Sequence, residues 1–308
     1  AGFYGTEIDG SLRFNDDDSA YLTRTPSTTT NRRTYTYSWW FKRANISGTA
    51  ASEPYMLTIT PSNADAVLFE TDERIRWTFF ANTYRLTTTQ VFRDPSAWYH
   101  LVLVADTTNA TASDRLRMYV NGERITAFDV ASYPTQNYDT KTNVSGNYVQ
   151  IGQSSTSTFD GYMAEFNFID GSALDPTSFG ETKSGVWIPK AYSGSYGTNG
   201  FHLEFAGNAN DSSGNGNNWT ANNISSHDYV PDSPTNNFAT LNPIFVNGHT
   251  LSQGNLQAYY NSAWNSTLGT IAPSAGKWYF EAVLTSKSWQ MFGLDQPSID
   301  GTTKHVGA

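Results

Sequence analysis

The sequence predicts an all-β protein built as a sandwich of antiparallel sheets, and three observations support this prediction. Apolar and polar residues alternate in short blocks, most clearly over residues 98–106, 115–128 and 148–171. Gly, Asn, Asp and Ser separate these blocks and supply the usual chemistry of turns. Aromatic residues make up 15% of the chain and charged residues only 15%, which is typical of a β protein with a ring-filled core and a surface rich in Thr, Ser and Asn.

The expected strands follow one another at regular short spacing, without a helix of ordinary length between them. Two short strands flank a turn at 15–18, and a long strand covers 32–44. Asn121-Gly122 separates two further strands, where two residues with positive φ would close a tight type I′ hairpin. The predicted strands of this part are 11–14, 20–24, 32–44, 55–61, 66–72, 75–82, 84–92, 98–106, 115–122, 123–128, 148–152 and 159–171.

Composition excludes several classes of function. The net charge of -9 and the pI near 4.9 argue against a large phosphate-binding surface, so we expect no nucleic-acid partner. The chain has no cysteine, which removes disulfides, thiolate metal sites and cysteine nucleophiles. It has no apolar run of about 18 residues, so we expect no membrane insertion. Its first residues also lack the basic and apolar regions of a signal peptide.

The order of these blocks resembles the concanavalin A-like jelly roll of laminin G-like domains. The segments that carry the resemblance are Ser11–Phe14, the strand beginning Trp98-Tyr99-His100, Tyr119–Gly122 and the strand after Phe159. The resemblance implies that the strand beginning Gly161-Tyr162 returns beside the N-terminal strand. It covers about residues 8–180 of the chain.

We therefore predict two domains. Residues 1–182 are assigned to a laminin G-like, concanavalin A-like β-sandwich. Residues 183–200 are assigned to a linker rich in Gly and Ser, in which Trp187-Ile188-Pro189 should dock on the sandwich. Residues 201–308 are assigned to a second β region.

The second region begins with a strand at Phe201 and continues as an Asn-, Ser- and Gly-rich tract. Strands are expected again from about residue 243, at 254–264, 276–286 and 288–295. The run Gly276–Glu281 and the later Met-Phe-Gly-Leu resemble the opening half of a SPRY domain. The resemblance implies a SPRY-like β region that is either an incomplete copy or one completed by further chain.

Four aspartates are the candidate ligands of a metal ion. Many laminin G-like domains hold one Ca²⁺ at the rim of the sandwich with carboxylate and carbonyl oxygens, so the resemblance implies a similar site. Asp16, Asp17 and Asp18 form the densest acidic run, and Asp160 precedes the strand expected beside the first one. The alternative is that these residues are ordinary turn formers. No other cofactor is expected.

Glycan binding is the other function that the fold class implies. Tyr133, Asn137, Tyr138 and Asp139 lie in a loop long enough to form part of a rim. Aromatic rings flanked by Asn and Asp at loop tips are a common means of glycan recognition in this fold. In a chain so rich in aromatic residues, unspecialised loop tyrosines explain the same pattern.

We expect no enzyme activity. Glu70, Asp72 and Glu73 approach the paired-carboxylate pattern of glycoside hydrolases, but the even spacing that would place the pair on one strand face is missing, and a hairpin turn explains them. No Gly-x-Ser-x-Gly elbow is present, and the five histidines lack metal-ligand spacing. His100, on a strand, is interpreted as a hydrogen-bonded residue of the sandwich.

A wider resemblance covers nearly the whole chain. A laminin G-like sandwich followed by the Asp211–Trp219 tract and a GKWYFE strand is similar to large structural proteins of tailed bacteriophages. The segments that match are Ser11–Phe14, Tyr21-Leu22, Trp39-Trp40, Tyr119–Gly122, Phe159–Glu165, Asp211–Trp219 and Gly276–Glu281.

The phage resemblance implies a non-enzymatic virion protein, made in the host cytoplasm, that serves as a head or tail fibre, spike or decoration protein. Its partners would be other virion proteins, further copies of itself with a trimer favoured, and a glycan of the host surface. A carbohydrate-binding module is the alternative function, and a glycoside hydrolase is a distant third.

Overall fold

The computed structural model describes residues 3–46, 53–59, 65–155, 157–246, 248–259, 266–285 and 293. Within these residues the helices are three short 3₁₀ turns, at Ala112–Asp114, Pro176–Ser178 and Ser226–Asp228. The strands are β1 (Ser11–Phe14), β2 (Tyr21–Arg24), β3 (Thr34–Arg43), β4 (Tyr55–Ile59), β5 (Asp65–Phe69), β6 (Arg74–Phe79), β7 (Tyr84–Val91), β8 (Tyr99–Asp106), β9 (Leu116–Val120), β10 (Glu123–Arg124), β11 (Phe128–Ser132), β12 (Val149–Ile151), β13 (Gln153–Ser154), β14 (Ser157–Thr158), β15 (Gly161–Asp170), β16 (Gly180–Lys183), β17 (Val186–Pro189), β18 (Phe201–Leu203), β19 (Thr220–Asn222), β20 (Tyr229–Val230), β21 (Leu241–Val246), β22 (Thr250–Ser252), β23 (Gln257–Tyr259) and β24 (Thr267–Gly269).

Two eight-stranded antiparallel sheets form the sandwich. Sheet I has the order β10-β9-β8-β3-β15-β1-β20, with β18 also paired to β15. Sheet II has the order β11-β7-β6-β5-β4-β12-β2-β19. Their facing side chains form one continuous apolar core, as expected for a sandwich of two sheets. The predicted all-β sandwich is confirmed.

The central strand β3 shows how the sequence fills this core. Its odd-numbered residues, Tyr35, Tyr37, Trp39 and Phe41, all face the core between the sheets. Trp39 and the Phe166 ring of β15 stack with their centroids 4.8 Å apart. Offset or tilted ring pairs of this kind contribute about 0.5–1.5 kcal/mol beyond the area they bury. Aromatic composition and period-two alternation therefore specify the same strand.

Two local predictions are confirmed. Asn121 and Gly122 have φ values of 49° and 83° and connect β9 to β10 as a hairpin. A side chain at position 122 would also meet the Trp187 ring at 2.5 Å, so only glycine fits there. The strand after Asp160 returns beside the N-terminal strand, with Leu12 opposite Met163.

The predicted boundary at residue 200 is the main point at which the structure differs. Strand β18 pairs with β15, β19 pairs with β2, and β20 pairs with β1, so the sandwich continues through residue 230. Asp211 orders the polar tract between them because its carboxylate accepts hydrogen bonds from the main-chain N–H groups of residues 202, 213 and 217. A tract that looks like a linker is thus fixed by its own side chains.

Part of the predicted linker docks on the outer face of sheet I. Strands β16 and β17 form a hairpin, and Ile188 and Pro189 are buried. The Trp187 indole donates a hydrogen bond to Nδ1 of His100 at 2.9 Å and stacks on that ring. The predicted docking of residues 187–189 is therefore confirmed.

Buried polar contacts fasten residues 228–232 and 254–255 over the same outer face. Arg13 pairs with Asp228 at 2.7 Å, and the fully buried ammonium of Lys42 donates to Asp232 at 2.9 Å. The Tyr162 hydroxyl donates to the carbonyl of Gly254 at 2.6 Å, and the Asn255 amide donates to that of Ala44 at 2.6 Å. Even the polar face of sheet I is consequently buried, which explains why β3 has no exposed residue.

After residue 240 the described chain forms two small two-stranded sheets, β21–β24 and β22–β23. The strand expected over 276–286 is not seen within the described residues 276–285, which belong to no sheet. The strand expected over 288–295 lies outside the described residues, apart from residue 293.

Candidate functional site

The two ends of the sandwich carry the predicted site residues. Strand β3 runs from one end to the other, since Arg33 contacts Asp139 at its start and the N–H of Ala44 donates to the Asp160 carbonyl after it. We name the first the aromatic end, formed by residues 80–83 and 133–147. We name the other the acidic end, formed by residues 15–19, 70–73 and 152–160.

The aromatic end combines partly exposed rings with a turn in an unusual backbone conformation. Tyr138 meets Tyr84 edge to face, with the ring centroids 5.0 Å apart. The turn between β6 and β7 holds Phe80, Ala81 and Asn82 all at positive φ, and the Phe80 side chain is 45% exposed. Three successive non-glycine residues in this conformation cost about 1–3 kcal/mol each. The surrounding structure therefore imposes the position of this turn.

A buried carboxylate ties the two loops of the aromatic end together. Asp65 accepts from the N–H of Phe80 at 3.2 Å and from the N–H of Lys141 at 2.6 Å. Burial raises the pKa of Asp65 to about 6, although these two N–H donors act in the opposite direction. Strand β5 thus supplies the side chain that holds loops from two distant parts of the sequence.

Three of the four predicted glycan-binding residues share this surface. Asn137 has a φ of 62°, and its N–H donates to the Thr107 carbonyl at 2.7 Å. Asp139 is half exposed, and its ion pair with Arg33 at 2.7 Å lowers its pKa. Burial raises the pKa of Tyr138 to about 12, so its hydroxyl is neutral at physiological pH. Tyr133 instead packs its ring partly against the core.

The acidic end contains oxygens without partners. The register of β1 and β15 pairs Phe14 with Gly161, so Asn15 and Asp160 stand opposite each other. Oδ1 of Asn15 and Oδ1 of Asp160 are both buried and accept no hydrogen bond. Burial raises the pKa of Asp160 well above its ordinary value, and the charges of Asp16 and Asp17 raise it further. Arg13 and Arg43 oppose this shift.

The predicted calcium ligands are brought together only in part. Burial, and then the charge of Asp17, raises the pKa of Asp16, so Asp16, Asp17 and Asp160 act on one another. Asp18 accepts from the Asn15 amide at 2.6 Å. In the described part of the chain, no three His, Asp or Glu side chains converge closely enough to hold a metal ion. The Oδ1 atoms of Asn15 and Asp160 are oxygen ligands of the kind that a hard cation prefers.

The carboxylates that resemble a hydrolase pair are engaged in structural contacts. The chain reverses across residues 70–73 between β5 and β6, which confirms the hairpin-turn interpretation. Glu73 forms a buried ion pair with Arg43, and Glu70 lies 3.3 Å from Arg76. Asp72 pairs with Arg74 at 2.8 Å. Each acid of the pattern therefore faces an arginine.

His100 has the structural role that the sequence predicts. Its Nε2 lies 2.8 Å from the Ser38 hydroxyl, and its Nδ1 accepts from Trp187. Burial lowers its pKa to about 3, so the ring is neutral.

The sequence does not predict a second histidine cluster, on the outer face of sheet I. His202 Nε2 lies 2.7 Å from Glu165, whose φ of 51° marks an irregularity in the pairing of β15 with β3. Burial lowers the pKa of His202, but the Glu165 hydrogen bond and the charges of Glu165, Glu204 and Asp211 outweigh burial and raise it. The Ser212 hydroxyl lies 3.4 Å from its Nδ1. Because 37 residues separate Glu165 from His202, no sequence motif marks the pair.

Comparison with known proteins identifies the family. The Laminin_G_3 family model, described as the concanavalin A-like lectin/glucanases superfamily, matches residues 15–178. No curated protein sequence matches the chain. No helix of the described residues is long and apolar enough to span a membrane.

Three solved structures illustrate the similarity. A SAP-like pentraxin from Limulus polyphemus is 15% identical, with a TM-score of 0.40, over 55% of this chain and 80% of that one. The LG4-5 domains of the mouse laminin alpha1 chain are 14% identical, with a TM-score of 0.37, over 62% of this chain and 48% of that one. The Ruminococcus gnavus sialidase CBM40 bound to α2,3 sialyllactose is 15% identical, with a TM-score of 0.31, over 44% of this chain and 76% of that one.

The fold and the family match define the class: this chain contains a concanavalin A-like jelly roll of the laminin G type. It belongs to the concanavalin A-like lectin/glucanases superfamily.

Proposed function

We propose that this chain is a non-enzymatic structural protein of a phage particle, of the fibre, spike or decoration type, whose sandwich presents a glycan-binding end to the host surface. The phage resemblance of the sequence motifs supports the particle role, including the SPRY-like run Gly276–Glu281. The protein would be made in the host cytoplasm and act on the virion, beside other virion proteins and further copies of itself.

The aromatic end is the observation that carries the binding role. Tyr84 and Tyr138 offer apolar ring surface, while Asn137 and Asp139 offer polar groups beside it. Sugars combine an apolar C–H face with hydroxyl groups, and a ring next to hydrogen-bonding side chains matches that chemistry. Because Asp65 and the strained turn already fix these loops, binding requires little ordering of the protein.

Mass spectrometry of purified particles from the source tests the particle role. We expect the chain among the virion proteins, and its absence would refute the proposal. A carbohydrate-binding module outside a particle, the alternative, would bind glycans but be missing from the virion.

A glycan array tests the binding role. We expect the wild-type chain to bind a glycan and Tyr138→Ala to lose that binding at least tenfold, because the pair with Tyr84 is broken. Tyr192→Ala is the matched control, since it removes a half-buried tyrosine that makes a comparable edge-to-face pair with Tyr196, at 5.1 Å, outside the aromatic end. Equal binding by Tyr138→Ala and the control would remove the aromatic end from the proposal. Turnover of a bound polysaccharide would contradict the non-enzymatic role.

Calcium binding at the acidic end is a second candidate function, favoured by the buried, unpartnered oxygens of Asn15 and Asp160. Asp16 and Asp17 would add negative charge beside them, and main-chain carbonyls and water would complete a shell of about 6–8 oxygens. The ion would neutralise Asp160, whose burial disfavours its charged form. Its role would be to fix the loops of this end.

A further inference from the structure

The region after residue 237 exposes large apolar side chains that a folded domain normally buries. Trp278 is 70% exposed, Tyr279 81% and Val283 85%, whereas the rings of β3 are buried. Exposed apolar clusters of this kind mark interaction surfaces. The exposed members are Phe238, Ile244, Phe245, Leu256, Tyr259, Ile271, Trp278, Tyr279, Phe280, Val283 and Leu284.

Residues 277–284 have the pattern of a strand but no sheet. By period-two alternation Trp278, Phe280 and Leu284 fall on one face. The other face carries Lys277 and Glu281 together with Tyr279 and Val283. In the described part of the chain, no main-chain hydrogen bond joins these residues to another segment. An amphipathic strand with free N–H and C=O groups is a template for pairing with another chain.

The distribution of charge favours a second copy of this chain as the pairing partner. The whole protein carries a net charge of -9, so two copies repel each other over most of their surface. Between residues 233 and 285, Lys277 and Glu281 are the only Lys, Arg, Asp or Glu residues, and they cancel. Two copies that met on this segment would bring no excess of acidic groups together.

The spacing of the two charges is also self-complementary. When two copies of the segment run antiparallel with Tyr279 on the two-fold axis, Lys277 of each copy lies opposite Glu281 of the other. The same register places Trp278 opposite Phe280 on the apolar face. Opposite charges and aromatic pairs directly across a strand pair are both stabilising.

We propose that residues 277–281 form an antiparallel strand pair with the same residues of a second copy of this chain, with the two-fold axis at Tyr279. A two-stranded ribbon alone is marginally stable, and the exposed side chains of Ile244, Phe245 and Tyr259 would add apolar surface to a contact between two copies. This inference rests on the proposed function, which includes association of the chain with further copies of itself. It identifies the residues through which the copies would associate. Its two-fold symmetry predicts a dimer, where the phage resemblance favours a trimer.

Light scattering coupled to gel filtration tests the contact on the full chain. We expect a mass of twice 34.1 kDa. Lys277→Glu and Glu281→Lys each place like charges across both ends of the ribbon, and each should raise the dimer dissociation constant by roughly ten- to thirty-fold. An equimolar mixture of the two variants restores opposite charges in the mixed dimer and should recover wild-type association.

The controls are Lys190→Glu and Glu123→Lys, which make the same charge changes at exposed positions of the sandwich. The double variant Lys277→Glu/Glu281→Lys should self-associate like the wild type, which separates loss of pairing from loss of fold. A monomer up to about 100 µM, a trimer, or equal association of the single variants and the controls would each overturn the contact. Particle mass spectrometry judges the proposed function separately, because a monomeric chain still found on particles refutes only the strand pair.

Discussion

The two ends of the sandwich differ in how their carboxylates are paired. At the aromatic end the carboxylates are paired, since Asp65 accepts from two N–H donors and Asp139 pairs with Arg33, and the rings remain partly accessible. At the acidic end the ring of Phe159 is buried, and the Oδ1 atoms of Asn15 and Asp160 lack hydrogen-bond partners. One end of the jelly roll thus carries a preformed ring surface, whereas the other leaves a buried amide oxygen and a buried carboxylate oxygen without a hydrogen bond.

Replacing a carboxylate by its amide at each end should give the largest difference in the free energy of unfolding between the two ends. Glu73→Gln removes the partner of the buried Arg43 at the acidic end and should destabilise the fold by about 3–5 kcal/mol. Asp139→Asn breaks an exposed ion pair at the aromatic end and should cost about 1 kcal/mol or less. Urea unfolding of both variants measures the difference. Equal costs would mean that the two ends do not differ in how they bury charge.

Calcium should stabilise the protein through the acidic end. At a concentration 100-fold above its dissociation constant the ion should add about 2.7 kcal/mol, seen as a rise in Tm that EDTA removes. Asp160→Asn should abolish this rise, because a neutral amide no longer attracts the ion. Without calcium the variant should be at least as stable as the wild type, since it removes a buried acid.

Asp65→Asn serves as the matched control for that experiment, as a buried aspartate at the aromatic end. It should leave the calcium response unchanged. A rise in Tm that survives Asp160→Asn would place the ion elsewhere.

Asp65 should make stability depend on pH at the aromatic end. Its pKa of about 6 in the folded protein lies above the usual value near 3.9, so the folded state holds the proton more tightly. The associated stability is present below about pH 4 and is lost as pH rises through 6, a change on the order of 2–3 kcal/mol. Urea midpoints at pH 5 and pH 8 should differ less in Asp65→Asn than in the wild type.

Because Asp160 shifts stability in the same direction, this comparison is made with calcium bound. An unchanged pH dependence in Asp65→Asn would contradict the assignment.

Tyr138→Ala should have a small effect on stability, comparable with that of Asp139→Asn. It removes the edge-to-face pair with Tyr84, worth about 0.5–1.5 kcal/mol, from a half-buried loop. A loss of this size, together with lost glycan binding, would show that the ring is placed for a ligand. A cost above about 3 kcal/mol would instead identify Tyr138 as a core residue.

Local rules account for what the sequence predicts correctly. Alternation identifies strands such as β3 and β8, and the Asn121-Gly122 dipeptide specifies its own hairpin. The sequence does not predict that strands β18 to β20 belong to the sandwich. The tract between them is ordered by hydrogen bonds to Asp211, and these contacts leave no periodic pattern in the sequence. Residues 276–285 alternate well but have no partner strand in the described structure, and a strand requires one.

In the candidate sites, too, the sequence predicts what depends on local residues and misses what depends on long-range contacts. Loop position and residue type are enough to place Tyr138 and Asp139 at a rim and Asp160 beside the first strand. Asn15 escapes notice because its role depends on the register that sets it opposite Asp160. The Glu165–His202 pair depends on an irregular residue in β15 and on a strand that sequence reasoning assigns to another domain.

The buried ammonium of Lys42 can be used to measure how often the segment that covers the outer face of sheet I opens. Its side chain is fully enclosed and is held by Asp232, Asn237 and the carbonyl of Phe238. An amine-reactive ester can therefore acylate it only when residues 232–238 lift from the sheet, whereas exposed Lys183 and Lys190 react at once. The ratio of these labelling rates reports how often the covering segment opens while the sandwich beneath it remains folded.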